Sequence, residues 1–492
     1  MRTILGSKYL LLSVSTLSFL SCSSKTEKNK SDRPNILFIC VDDLRKELGC
    51  YGSVVNSPNI DKLASEGSLF FNHYAQVPTS GASRASMLTG HLPKRKSDLR
   101  NEACYENISN KPEVETPETM FHHLRRNGYY TVGIGKISHS SDGYVYGYED
   151  QRSDIKELPY SWDELCFDSG KWGSGWNAFF GYSDGTNRQG MKKKVKPYEC
   201  AHVEGIELPD GHTTRLAVDK IKELSERKQP FCLAVGYFKP HLPFVAPKKY
   251  WDLYDESSLP LSPMKDIPEG CNLSTLHGSG EFNGYLLGDE KVSLKKNVSD
   301  DYARKLRHAY FACISYIDDQ IGELLNALDE YGLSDNTIVV LWGDHGWHLG
   351  DLRIWGKHTL FEKSLNSCLI VKSPNCKKGV KNRRIISSVD IYPTLMDLCG
   401  VQKPSGLDGK SFATLLNNPD DRNWPDQSYS YFNDGVSLRT SDYRISVYNK
   451  NGNIFTELYR YDDDCIEKKN VVDENTDILE LHANLKSLIL RK

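Results

Sequence analysis

No basic excess runs through this chain of 492 residues, in which acidic and basic side chains nearly cancel to a formal net charge of −3. General affinity for nucleic acid through phosphate neutralisation is thereby excluded, and any anionic ligand has to be met by a local cluster of cations. Cysteine occurs 13 times, yet without a CxxC pair, a metal-ligand spacing or the dense regular spacing of a disulfide scaffold. No apolar run is long enough for a membrane span, the nearest being the short, serine-rich stretch Tyr9–Leu20. Internal repeats are missing, and the only low-complexity tract is hydrophilic, SSKTEKNKSD at 23–32. With 39% hydrophobic and 11% aromatic residues, what is left is a globular protein with material for two or three domains.

The chain opens MRTILGSKYLLLSVSTLSFLSCSSK, with Arg2 and Lys8 before an apolar core and small residues around Cys22, the pattern of an export signal. Phe19-Leu20-Ser21-Cys22 resembles a bacterial lipoprotein cleavage box. Residues 1–22 are therefore expected to be a signal peptide with lipidation at Cys22, and 23–33 a tether. The mature protein is expected outside the cytoplasm, as a periplasmic or outer-membrane/cell-surface lipoprotein with a possible membrane anchor. Cys40, Cys232 and Cys313 lie in apolar runs and read as buried thiols. Cys104, Cys166, Cys200 and Cys465 are the better disulfide candidates, with pairing left open.

Four short apolar runs read as buried strands of a parallel sheet: NILFICV (35–41), YYTVGI (129–134), FCLAVGY (231–237) and TIVVLW (337–342). Amphipathic helices alternate with them, most clearly at 301–331, where apolar positions recur every three or four residues until Gly332. This order predicts an α/β fold, a large mostly parallel sheet flanked by helices. Segments 143–215 and 255–300 lack periodicity and read as long excursions of the kind that carry specificity. After residue 420 the pattern changes to strands SYSYF, YRISVY and IFTELYRY and a final helix near 476–490. The expected organisation is a main domain at 34–420 and a smaller α+β subdomain at 421–492.

Ligands of open parallel sheets bind at the carboxyl ends of the strands. There, NILFICV runs into Asp42-Asp43 and TIVVLWG into Asp344-His345. One strand-terminal Asp is an ordinary cap. Two such pairs repel unless a cation lies between them, and together they favour a hard-metal site. The other strands lead to Lys136 and His139 and to Lys239-Pro240-His241, and Lys357-His358 comes later. Carboxylates and cations gathered on one sheet edge describe a pocket for a divalent metal and a tetrahedral oxyanion, with histidines placed to move protons. PTSGASRASMLTG (78–90) then acquires a use beyond helix capping. Ser80 at a helix N-terminus, beside Arg84, is placed to face an anion's central atom.

These residues carry a resemblance. Ser80-Gly81-Ala82-Ser83-Arg84 followed by Leu88-Thr89-Gly90 resembles the type I sulfatase signature, whose first residue, Cys or Ser, is oxidised to formylglycine. DDLRKELGCYG (42–52), GIGKISH (133–139), GYFKPHLPF (236–244) and WGDHGWHLGD (342–351) are similar to the iduronate-2-sulfatase branch, and FTELYRYDDDCIEKKNV (455–471) to a sulfatase tail. The resemblance implies the alkaline phosphatase superfamily fold and hydrolysis of a sulfate ester. Ser80 would become a formylglycine whose hydrate attacks sulfur, with Arg84 and His139 holding that hydrate. Lys136 and Lys357 would bind sulfate oxygens and His241 would protonate the departing sugar oxygen. Asp42, Asp43, Asp344 and His345, with the modified Ser80, would ligate Ca2+.

Two departures matter. Ala82 stands where most members have Pro, and Ser replaces Cys, as in serine-type proteins matured by a radical iron–sulfur enzyme in anaerobic bacteria. An anaerobic sulfatase-maturating enzyme is thus an expected partner, with a sulfated carbohydrate as substrate and no nucleic acid. The resemblance suggests a 2-O-sulfate on a uronic acid of heparin, heparan or dermatan type. Galactan or fucan sulfates stay open, as does a phosphatase or phosphodiesterase using unmodified Ser80. An inactive glycan-binding surface protein is disfavoured because every catalytic position is occupied.

Overall fold

The computed structural model describes residues 33–108, 117–461 and 466–490. The expected signal peptide, its Cys22 and nearly all of the tether lie outside them. Apolar runs spread along the chain become the centre of one sheet. Its strands are β1 (Asn35–Val41), β2 (Ser68–Tyr74), β3 (Tyr130–Gly135), β4 (Glu164–Cys166), β5 (Phe231–Tyr237), β6 (Thr337–Gly343), β7 (Asn366–Ser367), β8 (Leu369–Lys372) and β9 (Val380–Ser387). The order is β7-β2-β8-β6-β1-β5-β3-β4, with β9 on the open side of β2. Strands β6, β1, β5, β3 and β4 run parallel, β8 runs against β6 and β2, and β9 runs parallel to β2.

Burial on both faces explains why the central strands are apolar without alternation. All seven residues of β1 are buried. Leu37, Ile39 and Val41 pack in the core layer containing the long helix Asp300–Glu330, whereas Ile36, Phe38 and Cys40 point into the opposite layer with Ile391 and Leu395. Register aligns the carboxyl ends: Val41 pairs with both Gly343 and Tyr237, and Gly135 with Gly236. The peptides after β1, β3, β5 and β6 therefore leave the sheet at one edge.

The C-terminal part is a four-stranded antiparallel sheet: β10 (Ser428–Phe432), β11 (Gly435–Arg439), β12 (Tyr443–Lys450) and β13 (Asn453–Arg460). It docks on the segment between β2 and Ser80, where Ser430 Oγ donates to the Ala75 carbonyl (2.7 Å) and the Tyr431 amide to that of Gln76 (2.7 Å). A buried ion cluster seals the joint. Glu362 accepts from Arg444 at 2.7 Å and Arg439 at 3.3 Å, and Arg444 also reaches Glu467 at 3.1 Å. The expected last helix is short, Thr476–Leu481, and continues as 3-10 turns over Ala483–Leu488.

The disulfide expectation is corrected: Cys104, Cys166 and Cys200 are free. The fold separates them. Cys166 ends β4, Cys200 lies in a different small sheet (Tyr198–Ala201 with Phe244–Pro247), and Cys104 is buried with its thiol 3.7 Å from the Gly81 carbonyl. Cys465 lies outside the described residues. Cys40, Cys232 and Cys313 are buried free thiols, as read from their apolar runs.

Candidate active site

At the end of β1 the chain turns left-handed at Asp43 (φ 59°), so two successive carboxylates serve one site instead of opposite faces. Asp43 is held there by its own amide, which donates to Asp344 Oδ1 at 2.9 Å, and by Lys357 Nζ at 2.8 Å from its Oδ1. Asp344 and His345 follow β6, adjacent to β1. Ligand atoms of Asp42, Asp43, Asp344 and His345 all lie within 4.8 Å of one another, and all four residues are buried.

Ser80 opens the helix Ser80–Thr89, every residue of which is buried. The first intrahelical bond runs from the Ser83 amide to the Thr79 carbonyl, so the Ala82 N–H has no helical partner to lose and either Ala or Pro suits this position. Gly81 is obligatory for space: a Cβ there would stand 2.1 Å from the Asn101 carbonyl oxygen. Ser80 Oγ lies 3.0 Å from Asp42 Oδ1 and 3.0 Å from His345 Nε2. His345 Nδ1 donates to the Gly346 carbonyl (3.0 Å), which leaves the Nε2 lone pair facing the site. Arg84, fully buried, donates to Asp344 (3.1 Å), Asp42 (3.4 Å) and the carbonyls of Lys136 (2.6 Å) and Ile137 (3.2 Å).

Ser80, Lys136, His139, His241 and Lys357 line one cavity of about 290 Å³. Lys136 Nζ contacts Asp42 Oδ2 at 2.5 Å. Past β5, Asp210 accepts from the Phe238 and Lys239 amides (2.7 and 3.1 Å) and so fixes the turn that delivers His241. His241 Nδ1 donates to the Leu242 carbonyl (2.7 Å), and Nε2 stands 3.2 Å from Glu281 Oε1 and 3.7 Å from Asp43 Oδ2. His139 packs its ring 5.4 Å from Trp176. The carboxylate cluster and this cavity together bring in the site candidates read from the sequence, except that Lys239 turns its ammonium to the His241 carbonyl (3.1 Å). Arg84 is set beneath the cavity and reaches it through Asp42 and Asp344.

Electrostatics separate the carboxylates. Burial opposes ionisation of Asp42, but Lys136, His241 and Arg84 hold it well below the usual range. Burial, and then its neighbours Asp42, Asp344 and Glu281, push Asp43 well above it against the pull of Lys357; burial and Asp42 also raise Asp344. Carboxylates that press on one another this way, with an imidazole lone pair and a hydroxyl beside them, suit a divalent cation. Burial lowers His345 to about 3 and His139 well below its ordinary value, so both rings are neutral.

Glu281, Arg188 and Tyr148 also line the cavity. None stood out in the sequence because all come from the two aperiodic excursions. Their only signal was the expectation that such excursions carry specificity.

Residues 34–401 match the sulfatase family, and residues 343–492 match the C-terminal region of N-sulphoglucosamine sulphohydrolase. Human iduronate 2-sulfatase is 30% identical over 462 residues, which cover 84% of this chain and 78% of that one. Among solved structures, a phosphonate monoester hydrolase of Agrobacterium radiobacter superposes with TM-score 0.71 at 23% identity, covering 93% of this chain and 95% of that chain. A 2-O glycosaminoglycan sulfatase superposes with TM-score 0.64 at 21% identity, covering 92% and 91%. These two share its fold. The chain belongs to the sulfatase family and is a sulfuric ester hydrolase.

Proposed function

We propose that the protein removes the 2-O-sulfate from a uronic acid of a heparin, heparan or dermatan type saccharide, using Ca2+ and a formylglycine made from Ser80. The observation that carries this reading is the position of the Ser80 hydroxyl, 3.0 Å from Asp42 and from His345 within the carboxylate cluster. The substrate class is supported by the likeness to human iduronate 2-sulfatase. Asp42, Asp43, Asp344 and His345 would hold the metal. Bound there, a divalent cation would neutralise charge on a sulfate oxygen, and an aldehyde at Ser80 would, as its hydrate, supply a hydroxyl oxygen as the nucleophile.

The chain's own residues divide the remaining work. Lys136 and Lys357, whose ammonium groups touch Asp42 and Asp43, are within reach of sulfate oxygens at the same place and neutralise their charge. His241, with both ring nitrogens facing acceptors, is built to carry a second proton and deliver it to the sugar oxygen. His139 accepts a proton from the nucleophile's side, its neutral ring lining the cavity with Ser80. Arg84 fixes Asp42 and Asp344 from below and holds the nucleophile's geometry through them. We further propose residues 34–420 as the catalytic domain, 421–492 as its subdomain, and export with a lipid tether at Cys22.

The test is mass spectrometry of the Ser80 peptide after coexpression with an anaerobic maturating radical enzyme. Oxidation of the alcohol to an aldehyde removes two hydrogens, so a peptide lighter by about two mass units is expected, with activity tracking its abundance. Full activity from unmodified serine would instead favour the phosphatase-like reading, in which His345 Nε2, 3.0 Å from Oγ, takes the serine proton.

A further inference from the structure

The excursion from Gly181 to Val195 brings two cations to the cavity that the reaction above does not use, Arg188 and Lys193. Arg188 is 9% exposed, and its guanidinium lies 3.7 Å from the Phe180 ring centroid and 5.3 Å from that of Tyr285. Its Nε donates to Gln189 Oε1 (3.0 Å), a neutral acceptor, and the guanidinium also interacts with the Tyr285 hydroxyl, likewise uncharged. Among the described residues neither Arg188 nor Lys193 has a carboxylate within ion-pair distance. A guanidinium removed from water without an anion is costly, and a fold keeps one where a ligand supplies the anion.

The backbone supports the same conclusion. Lys192 and Lys193 both adopt left-handed conformations (φ 49° and 64°), unusual for two successive non-glycine residues. They are fixed there because the Lys193 amide donates to the Arg188 carbonyl (2.8 Å) and its own carbonyl accepts from Leu286 (2.9 Å). The loop is thereby tied to the segment that bears Glu281. Phe180 stands between the two functions: the Arg188 guanidinium covers it, and its ring centroid is 6.4 Å from that of His241. The Phe180 ring therefore separates the Arg188 guanidinium from the His241 imidazole within one cavity.

We infer that Arg188, assisted by Lys193, forms a second anion site that binds the carboxylate of the sulfated sugar. The inference rests on the uronate reading above. In a 2-O-sulfated hexuronate the carboxyl group is on C5, across the pyranose ring from C2, so the two anions are a ring apart. A planar guanidinium stacked on an aromatic face presents its fork to a carboxylate bidentately, which a lysine cannot do. A second sulfate on a hexosamine would offer the same charge with a different shape.

The experiment compares kcat/KM within two substrate pairs. One is a 2-O-sulfated hexuronic acid glycoside and its carboxyl methyl ester, the other glucosamine 6-O-sulfate and glucosamine 2-N,6-O-disulfate. The wild type should favour the free acid over the ester by roughly 10- to 100-fold, the range of a charge-assisted bidentate contact. Arg188→Gln should bring that ratio to within about threefold of unity, and Arg188→Lys should keep part of it by retaining charge without the fork. Both members of a pair are measured on one preparation, so a folding defect cancels in the ratio, and the lysine variant serves if the glutamine variant does not fold. An unchanged acid-to-ester ratio in both variants overturns the inference while leaving the uronate reading intact. A change confined to the glucosamine pair reassigns the site to a sulfate and overturns the carboxylate assignment. A wild type that hydrolyses the glucosamine sulfates and neither uronate overturns the uronate reading, and the carboxylate site with it.

Discussion

Glu281→Gln should slow hydrolysis of an unactivated sugar sulfate by roughly 10- to 100-fold while leaving an activated aryl sulfate within about threefold of wild type. Burial, and after it the charge of Lys357, lowers His241 to about 4, and Asp42 and Glu281 pull the other way. Hydrogen-bond geometry argues for the protonated ring, since Nδ1 faces the Leu242 carbonyl and Nε2 the Glu281 carboxylate. A sulfate bound on Lys357 cancels the second-largest force depressing this pKa, so the ring gains its second proton when substrate is bound. A hydrogen bond to a charged group contributes about 1.5–3 kcal/mol, which at about 1.4 kcal/mol per unit is about one to two pKa units. Glutamine removes that support, the pKa falls, and at neutral pH the imidazolium share drops by up to the same factor. Activity that needs the protonated ring is lost as pH rises through its pKa, so the alkaline limb of kcat/KM should move to lower pH in the variant. Good leaving groups need little protonation and should show neither effect. The assay is a pH–rate profile on both substrates, in wild type, Glu281→Gln and His241→Ala, with the glutamine change adding nothing to the alanine variant. Equal losses on both substrates, or a large loss with an unmoved limb, would refute the reasoning.

Asp344→Ala should lose both bound metal, read by elemental analysis, and turnover, because Arg84 and the Asp43 amide lose their shared acceptor together with one ligand; calcium should restore activity to chelated wild type but not to the variant. Arg444→Ala leaves Glu362 and Glu467 facing each other in the buried joint and should cost about 3–5 kcal/mol in urea unfolding, the cost of breaking a buried ion pair. Burial opposes ionisation of Glu362, but Arg439 and Arg444 hold its pKa well below the ordinary value of about 4.3. Its contribution is therefore fully present above that value and lost as pH falls toward the folded-state pKa, so Glu362→Gln should flatten the acid side of a melting-temperature profile.

The parts legible in the sequence were those whose local pattern and global role agree. NILFICV, YYTVGI, FCLAVGY and TIVVLW form the contiguous stretch β6-β1-β5-β3, because strands covered on both faces must be apolar throughout. Their last residues share one register, which is why acids and bases read one after another along the chain meet in space. Strand β9 (VKNRRIIS) escaped notice because it is bulged between Asn382 and Ile385 and carries exposed Lys381 and half-exposed Arg384. Strand β11 (GVSLR) is short and opens on a glycine. Glu281 and Arg188 were illegible for a different reason: Glu281 sits in a four-residue helix, Gly280–Asn283, too short to show a period, and Arg188 is placed by loop hydrogen bonds and aromatic packing. The disulfide expectation failed because it weighed cysteines by surroundings in sequence, where separation between sheets cannot be seen.

Burial of the signature helix has a consequence for the order of events in the cell. Ser80 is 3% exposed and sits at the foot of a helix with no exposed residue, so a second enzyme cannot grip this segment on the finished molecule. Strand β10 closes over Ala75 and Gln76, and it leaves the ribosome well after Ser80, about 350 residues further along the chain. Until then the Ser80 segment lacks its final cover. Any alteration of that side chain by another protein therefore competes with synthesis and folding, and slowing the closure of β10, rather than improving the encounter itself, would lengthen the time in which the alteration can happen.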